Sequence, residues 1–188
     1  EFSPRLAAVA GGRTPSGDGW APADLLTGVE VVRALAVEVD AAAPGVVLED
    51  GRTLSGDAVV VAVGADTAWP DVPGIAEHTH GLRSVADALA IRRELVEADR
   101  LVVVGGGPTG VQLAAEAAER HRHLDVVVVE AEDRLLPALP ARLGRRTEQV
   151  LRRKGVEVRR RSPVVRVTPT GVVFEHGGHL DGLVVWAT

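Results

Sequence analysis

The stretch 101–130, LVVVGGGPTGVQLAAEAAERHRHLDVVVVE, restricts the fold more than any other part of this chain. A short apolar run opens into four glycines, a helical segment follows, and a second apolar run ends at Glu130. Short apolar runs bounded by turn residues indicate buried strands. We therefore expect a strand, a tight turn, a helix and a second, parallel strand, in that order.

The glycines of this turn have separate predicted roles. Gly105 allows the sharp turn off the first strand, Gly107 lets the backbone approach a pyrophosphate, and Gly110 lets the helix pack against the sheet. The helix N-terminus then offers free N–H groups and the positive end of its dipole to the phosphates. The pattern therefore predicts a dinucleotide site.

The acid that ends the stretch indicates which dinucleotide binds. Glu130 lies about 20 residues after the last glycine, where a carboxylate can accept hydrogen bonds from both adenosine ribose hydroxyls. Because the same charge repels a 2′-phosphate, the pattern favours NAD over NADP. Two alternatives stay open: a purely structural glycine turn, and an S-adenosylmethionine site, which also uses a glycine turn and an acid after the second strand.

The composition excludes several kinds of chemistry. The 188 residues include no Cys, which rules out a redox dithiol and a zinc thiolate site, and no Tyr, the acid of short-chain dehydrogenases. A net charge of −5 argues against a nucleic-acid partner. The chain has no apolar run of about 18 residues, so we expect no membrane span. It also has no signal-peptide core, so we expect a cytoplasmic protein.

Two groups of basic residues are interpreted as surface. The arginines within 152–161 are expected to form a solvated surface, with a binding role as the alternative. The six histidines fall in three near pairs, at 78/80, 121/123 and 176/179, with no acid or thiol obviously beside any pair, so we expect no metal site. His121 and His123 are expected to end the helix after the glycine turn, where a positive charge suits the helix dipole.

The rest of the chain predicts two further helices. Residues 1–27 are rich in Gly, Pro and Ala and are expected to be loop. Ser84 and Asp87 form a candidate capping box for a helix through about Ala98. A second helix is expected over 141–154. Its expected apolar face consists of Leu143, Val150 and Leu151.

The second half of the chain repeats part of the first. Three segments recur in order: GVEV (28–31 and 155–158), GVVLE with GVVFE (45–49 and 171–175), and DAVVVAV with DGLVVWA (57–63 and 181–187). The first copy contains β-type runs at 29–32, 35–39, 46–48 and 59–63. Only the second copy follows a glycine turn, so we infer one nearly whole nucleotide unit and the back half of another.

Together these motifs resemble the two-dinucleotide flavoproteins, the family of type II NADH dehydrogenases, NADH:quinone reductases and pyridine nucleotide–disulfide oxidoreductases. The resemblance rests on LSGDAVVVAVGADTAWPDVPG (54–74), VVVGGGPTGVQLAAE (102–116), VVVVEAEDRLLP (126–137), RRKGVEV (152–158) and DGLVVWAT (181–188). It implies an α/β fold, a Rossmann-like three-layer FAD/NAD(P)-binding domain whose parallel sheet carries a β-meander crossover, plus a partial second copy. Residues 1–74 would be a partial FAD-domain segment, and residues 75–188 the NAD(H)-binding domain.

The resemblance also implies roles for individual residues. The turn and the pyrophosphate are assigned to Gly105, Gly107, Pro108, Thr109 and Gly110, the nicotinamide side to Val111 and Gln112, the ribose to Glu130, and the adenine to Arg134. Gly64 keeps the final glycine of the family's Ala-Thr-Gly turn, in which Val63 replaces Thr. Quinone-reducing relatives have Glu at the position of Gln112. Glu116 faces the flavin in relatives, and an exposed helix residue is the alternative.

The activity implied by the resemblance is oxidation of NADH through FAD, with electrons passed to a quinone or a redox protein. No side chain here can accept a hydride, so no catalytic residue is assigned. A chain that begins at Glu1 without Met is expected to be a piece that binds NADH weakly and holds little or no FAD. The alternative is a non-catalytic dinucleotide-binding or regulatory module. Uncovered strand edges in an incomplete FAD half would favour homo-oligomers.

Overall fold

The computed structural model describes residues 6–12, 28–40, 42–63 and 69–188. The chain divides into two compact units, one of residues 18–65 and one of residues 1–17 with 66–188. The helices are α1 (Leu6–Ala10), α2 (Ile75–His78), α3 (Val85–Glu94), α4 (Pro108–Arg120) and α5 (Ala141–Arg153). The strands are β1 (Ala36–Asp40), β2 (Gly45–Leu48), β3 (Thr53–Ser55), β4 (Arg100–Val104), β5 (Asp125–Val129), β6 (Glu157–Arg159), β7 (Val164–Thr168), β8 (Gly171–Phe174), β9 (His179–Asp181) and β10 (Leu183–Trp186).

The larger unit is built on a parallel sheet in the order β10-β4-β5-β6. Apart from their first residues, β4 and β5 are buried on both faces, which is why each is a continuous apolar run. Helix α4 connects β4 to β5, and α5 lies between β5 and β6. The predicted order of strand, turn, helix and parallel strand is confirmed.

Alternate residues of the two central strands face two different layers, because side chains alternate along a strand. One buried cluster, shared with α3, α4 and α5, contains Leu101, Val103, Val126 and Val128. The other, shared with the antiparallel sheet β7-β8-β9, contains Val102, Val104, Val127 and Val129. Helices, parallel sheet and meander are thus the three layers that the resemblance predicts.

Helix α1 corrects the expectation that residues 1–27 are loop. Its five residues, LAAVA, are all buried and pack against α3 and α4 of the larger unit. The Gly, Pro and Ala content of the stretch favoured a loop, but burial of this short apolar run against two helices favours the helical form. The remaining residues of that stretch, 1–5 and 13–27, lie outside the described part of the chain.

The two other predicted helices form, with differences at their ends and faces. The Ser84 and Asp87 capping box is present at the start of α3, but the helix ends at Glu94, four residues before the predicted end at Ala98. Helix α5 begins as predicted. Its expected apolar face is wrong in part, because Leu151 is 1% exposed whereas Leu143 and Val150 are 43% and 36% exposed. The α5 surface that packs inward contains Gly144 in place of a larger apolar residue.

The internal repeat is confirmed by the two antiparallel meanders. In the smaller unit the strand order is β1-β2-β3, and in the larger unit it is β7-β8-β9. Both first pairs contain a register irregularity at the same place, between Ala36 and Glu38 in one copy and between Val164 and Arg166 in the other. Equivalent residues therefore occupy equivalent positions in the two copies.

Two predicted strands of the first copy, 29–32 and 59–63, do not form. Their equivalents in the second copy pair with β5 and β4 of the parallel sheet. The described residues of the smaller unit include no parallel strand that could pair in this way. Apolar residues therefore remain exposed there, at 87% for Val60 and 90% for Val63.

Candidate functional site

A cavity of about 590 Å³ opens at the carboxyl ends of β4 and β5 in the larger unit. Gly105 follows β4, Gly107, Pro108 and Thr109 begin α4, and Glu130 follows β5; all five line the cavity. Ligands of open α/β sheets bind in a crevice at this position. The structure therefore brings together five of the residues predicted to contact a dinucleotide.

The turn between β4 and α4 requires glycine at two positions. Gly105 has a φ of 112°, and a Cβ there would lie 2.9 Å from the carbonyl carbon of Ala187. A Cβ on Gly110 would collide with the carbonyl oxygen of Gly105 and lie 3.1 Å from Cγ1 of Val103. Gly105 thus turns the chain, and Gly110 lets α4 sit directly against β4 and its turn.

The start of α4 faces the cavity with its backbone accessible. Gly107 is the N-cap residue, no side chain caps the helix, and Pro108 occupies the first turn without an N–H of its own. A Cβ on Gly107 would meet no atom within 4 Å. The first N–H groups of a helix have no partner within it, so this end suits an anion that approaches the backbone closely.

The carboxylate of Glu130 is held in one position beside this turn. Its Oε2 accepts a hydrogen bond of 2.8 Å from the Gly106 N–H, and its Oε1 accepts one of 2.9 Å from the Glu132 N–H. The residue is 8% exposed. Each carboxylate oxygen can accept more than one hydrogen bond, so both remain able to bind a ligand hydroxyl.

Gly106 was not assigned a role from the sequence, although the structure gives it one. A Cβ on this residue would lie 2.5 Å from Cδ2 of Leu135 and 2.8 Å from Oε2 of Glu130. A larger residue would have to displace the ends of the Leu135 and Glu130 side chains, so glycine lets the backbone N–H reach the carboxylate without that movement. Three consecutive glycines were the available signal, since the dinucleotide pattern itself accounts for only the first and third.

Other predicted residues do not line this cavity. Val111 is partly buried and packs against the helix-side core, and Gln112 is half-buried on the same helix. The guanidinium of Arg134 donates a hydrogen bond of 2.6 Å to the carbonyl of Pro137. Gly64 lies outside the described residues. Of the two interpretations of Glu116, the alternative of an exposed helix residue is wrong, since it is 6% exposed and a Cβ on Gly11 would lie 2.6 Å from its Cβ.

Sequence reasoning missed an apolar wall of the same cavity. The wall contains Pro70, Val72, Pro163, Val164 and Trp186. The indole Nε1 of Trp186 donates a hydrogen bond of 2.7 Å to Oγ1 of Thr188. The position of Trp186 at the end of a strand in the parallel sheet was the available signal, because ligands bind where such strands end.

The histidine predictions need two corrections. Acids do lie beside two of the pairs, since Nε2 of His80 is 3.0 Å from Oε1 of Glu94 and Nδ1 of His179 is 3.2 Å from Oδ1 of Asp181. His121 ends α4, but burial lowers its pKa, and the nearby charges of His123 and Arg92 lower it further. Burial therefore disfavours the positive charge that was expected to suit the helix dipole. Within the described ranges, no group of three His, Asp or Glu side chains is arranged to hold a metal ion. None of the helices described is long and apolar enough to cross a membrane.

The fold defines a class, the Rossmann-like α/β proteins, and the glycine turn between β4 and α4 is of the kind that such proteins use for dinucleotides. The chain belongs, more specifically, to the pyridine nucleotide-disulphide oxidoreductase family, whose model matches residues 16–188. Proteins of this family bind NAD(H) and FAD. The cofactors that the sequence predicts are thus those of this family.

Similarity to individual proteins extends over most of the chain. It is 32% identical, over 72% of its length and 30% of the relative's, to an external alternative NAD(P)H-ubiquinone oxidoreductase B1 of Solanum tuberosum mitochondria. It is 30% identical to the type II NADH:quinone oxidoreductase of Mycobacterium tuberculosis, over 93% of this chain and 45% of that one. The solved structure of the covalent complex of putidaredoxin reductase with putidaredoxin matches with a TM-score of 0.78 and 27% identity, over 98% of this chain and 48% of that one. The chain therefore spans less than half the length of each of these proteins.

Proposed function

We propose that this chain is the NAD(H)-binding part of an FAD-dependent NADH oxidoreductase that transfers a hydride from NADH to flavin. One observation carries the proposal: the Glu130 carboxylate is fixed at the wall of a cavity that also contains the open backbone of Gly107. The two bound cofactors would supply the redox chemistry, and the protein would bind and orient them. The chemistry of this chain is therefore binding and orientation.

The geometry of the cavity supports a role for each part of the turn. The N-terminus of α4, with Gly107, Pro108, Thr109 and Gly110, would hold the pyrophosphate. The remaining acceptor capacity of the Glu130 carboxylate would bind the two hydroxyls of the adenosine ribose. This arrangement favours NADH over NADPH, since a 2′-phosphate would meet a buried negative charge.

The outer parts of the site are proposed from sequence position. Val111 and Gln112 follow the pyrophosphate-binding residues along α4, on the side that we assign to nicotinamide. Arg134 follows β5, on the side that we assign to adenine. We propose that residues 1–74 form a partial FAD-domain segment and residues 75–188 the NAD(H)-binding domain.

The electron acceptor is proposed to be a quinone or a redox protein. Two relatives are named as ubiquinone or quinone oxidoreductases, and a third was solved in a covalent complex with putidaredoxin.

The exposed Val60 and Val63 of the smaller unit favour self-association, because large apolar side chains at a surface mark contact regions.

A second candidate function is a non-catalytic dinucleotide-binding or regulatory module. One observation favours it: the two first-copy segments 29–32 and 59–63 form no parallel sheet among the described residues. Such a protein would bind NADH without passing electrons to an acceptor. The two candidates therefore share the site and differ in turnover.

Binding and turnover assays test both candidates. NADH titrated into the chain should quench tryptophan emission, because Trp186 lines the cavity and its emission overlaps the absorbance of the reduced nicotinamide. The purified chain should hold little flavin. NADH oxidation, with quinone or ferricyanide as acceptor and with added FAD, then distinguishes an oxidoreductase from a binding module. Absence of saturable NADH binding would overturn both proposals.

A further inference from the structure

A second cavity, of about 410 Å³, lies in the larger unit beside the end of β6. Its lining contains four arginines, Arg152, Arg159, Arg160 and Arg161, together with Asp133, Val158 and Ser162. Four like charges around one cavity repel one another unless an anion is present. The cavity thus favours a negatively charged occupant.

Carboxylates of the chain supply part of that charge. Glu148 accepts a hydrogen bond of 2.9 Å from Arg152 and lies 3.5 Å from Nε of Arg160, and Glu157 accepts one of 2.7 Å from Arg159. The side chain of Arg161 makes no hydrogen bond or ion pair with any of the described residues. The four arginines of the lining therefore outnumber the carboxylates of Glu148, Glu157 and Asp133.

The backbone of Arg161 is strained. Its φ is 52°, in the left-handed region that residues other than glycine rarely adopt. The strain is held by two hydrogen bonds, from the Arg161 N–H to the Glu132 carbonyl at 2.9 Å and from the Ser162 N–H to the Glu130 carbonyl at 3.0 Å. Strained residues of this kind concentrate at ligand sites, where the surrounding structure fixes them.

We propose that this arginine cavity binds a phosphate-bearing anion. Guanidinium groups present planar pairs of N–H donors that match phosphate oxygens, and they keep their charge at every physiological pH. Arg161 supplies an uncommitted guanidinium, and Arg159 and Arg160, which line the same cavity, supply further positive charge. The site is separate from the α4 turn, so it goes beyond the proposed binding of NADH.

Two sources could deliver the phosphate. One is a phosphate compound unconnected with the dinucleotide. The other is the 2′-phosphate of NADPH, because Ser162 lines both the arginine cavity and the cavity at the glycine turn. The carboxylate of Glu130 opposes the second source, since it would repel that phosphate.

Calorimetric titration of the 188-residue chain with inorganic pyrophosphate tests the site without any dinucleotide, and arginine variants distinguish binding in this cavity from binding at the glycine turn. Saturable binding that weakens with added salt is expected. Arg161→Ala and Arg159→Ala should each lower the affinity by about tenfold or more, the range expected for a lost charged hydrogen bond. Arg142→Ala is the matched control, because Arg142 is an exposed arginine of α5 that does not line the cavity.

Arg161→Gly separates binding from folding. Glycine accepts a positive φ without strain, so this variant should keep or raise the melting temperature while it loses pyrophosphate binding. The absence of saturable pyrophosphate binding would overturn the proposal. Equal losses in Arg142→Ala and Arg161→Ala would also overturn it.

Competition identifies the source of the phosphate. If NADPH displaces pyrophosphate and NADH does not, the 2′-phosphate occupies the arginine cavity. If neither dinucleotide displaces it, the cavity serves a separate phosphate compound. Both results support the anion site. NADH binding is measured separately, so a chain that binds NADH but keeps its full pyrophosphate affinity in Arg161→Ala would refute the arginine site and leave the proposed NADH site standing.

Discussion

The Gly106 N–H donates a hydrogen bond of 2.8 Å to the carboxylate of Glu130, which connects the glycine turn after β4 to the end of β5. The Glu132 N–H holds the other carboxylate oxygen, so the side chain has a single fixed orientation. The glycine turn, which we propose binds phosphate, and Glu130, which we propose binds ribose, therefore form one hydrogen-bonded structure. A change in either part should disturb the other.

Alanine substitutions at neighbouring glycines should separate stability from binding. In Gly106→Ala the new Cβ would lie 2.5 Å from Leu135, so we expect a loss of roughly 1–3 kcal/mol in the free energy of unfolding. In Gly107→Ala the new Cβ meets no protein atom, so stability should stay within about 0.5 kcal/mol of the parent. Its methyl group stands where the backbone faces the cavity and should weaken NADH binding about tenfold or more. Urea unfolding and NADH titration measure the two effects. A Gly107→Ala chain that binds NADH normally would contradict the assigned approach of the pyrophosphate.

Glu130→Ala should weaken NADH binding and narrow the preference for NADH over NADPH. Loss of charged hydrogen bonds costs about 1.5–3 kcal/mol, which corresponds to roughly 10- to 100-fold in affinity. Loss of the buried negative charge removes the repulsion of a 2′-phosphate. Glu130→Gln serves as a matched variant, because it keeps the side-chain size and removes the charge. Competitive titrations give the ratio of the two affinities, and an unchanged ratio in both variants would show that Glu130 does not read the ribose.

The sequence predicted the parts of the fold whose residues carry local information. Apolar runs before and after the glycines predicted β4 and β5, and Ser84 with Asp87 predicted the start of α3. The repeat predicted two similar copies, and the structure adds an equivalent irregularity of register in both meanders, which the sequence did not indicate. These signals act within a few residues or within one repeated pattern.

What the sequence could not predict depends on contacts between distant residues. Helix α1 forms because five apolar residues are buried against α3 and α4, far along the chain. The segment 59–63 reads as a strand, like its repeat in β10, but no neighbouring parallel strand is available to it in the described smaller unit. Trp186 was missed from the site for the same reason, because only the assembled sheet places the end of β10 beside the glycine turn. Pairing and burial decide these outcomes.

Equivalent valines of the two repeats should differ in their contribution to stability. Val172 of β8 is 0% exposed and packs between the meander and the parallel sheet, whereas its repeat partner Val46 of β2 is half-buried. We expect Val172→Ala to cost roughly 1–3 kcal/mol because it leaves a cavity in the core. Val46→Ala should cost under about 1 kcal/mol. Chemical denaturation of the two variants compares them directly, and equal costs would contradict the burial difference between the copies.

His121 connects the end of α4 to the segment that follows α1. Its backbone N–H bonds to Ala117 at 2.8 Å, and its Nε2 would lie 3.8 Å from a Cβ on Gly12. Burial lowers the pKa of this imidazole from 6.5, the charges of His123 and Arg92 act in the same direction, and the backbone of Gly11 opposes them. The folded protein therefore binds a proton at His121 less readily than the unfolded chain does.

This depressed pKa predicts that the packing of residues 6–12 beside His121 becomes less stable as the pH is lowered. Above the unfolded value of 6.5 the imidazole is neutral in both states, so its contribution to stability is fully present. As the pH falls below 6.5 the unfolded chain takes up the proton first, and stability is lost progressively. The urea concentration at the unfolding midpoint should therefore decrease as the pH is lowered from 7.5 to 5.5. Backbone hydrogen exchange in residues 6–12 should become faster over the same range. Since other groups also titrate in this range, His121→Gln supplies the comparison and should lose less stability over the same interval. Equal pH dependence in the parent and the variant would show that His121 remains accessible to protons in the folded state.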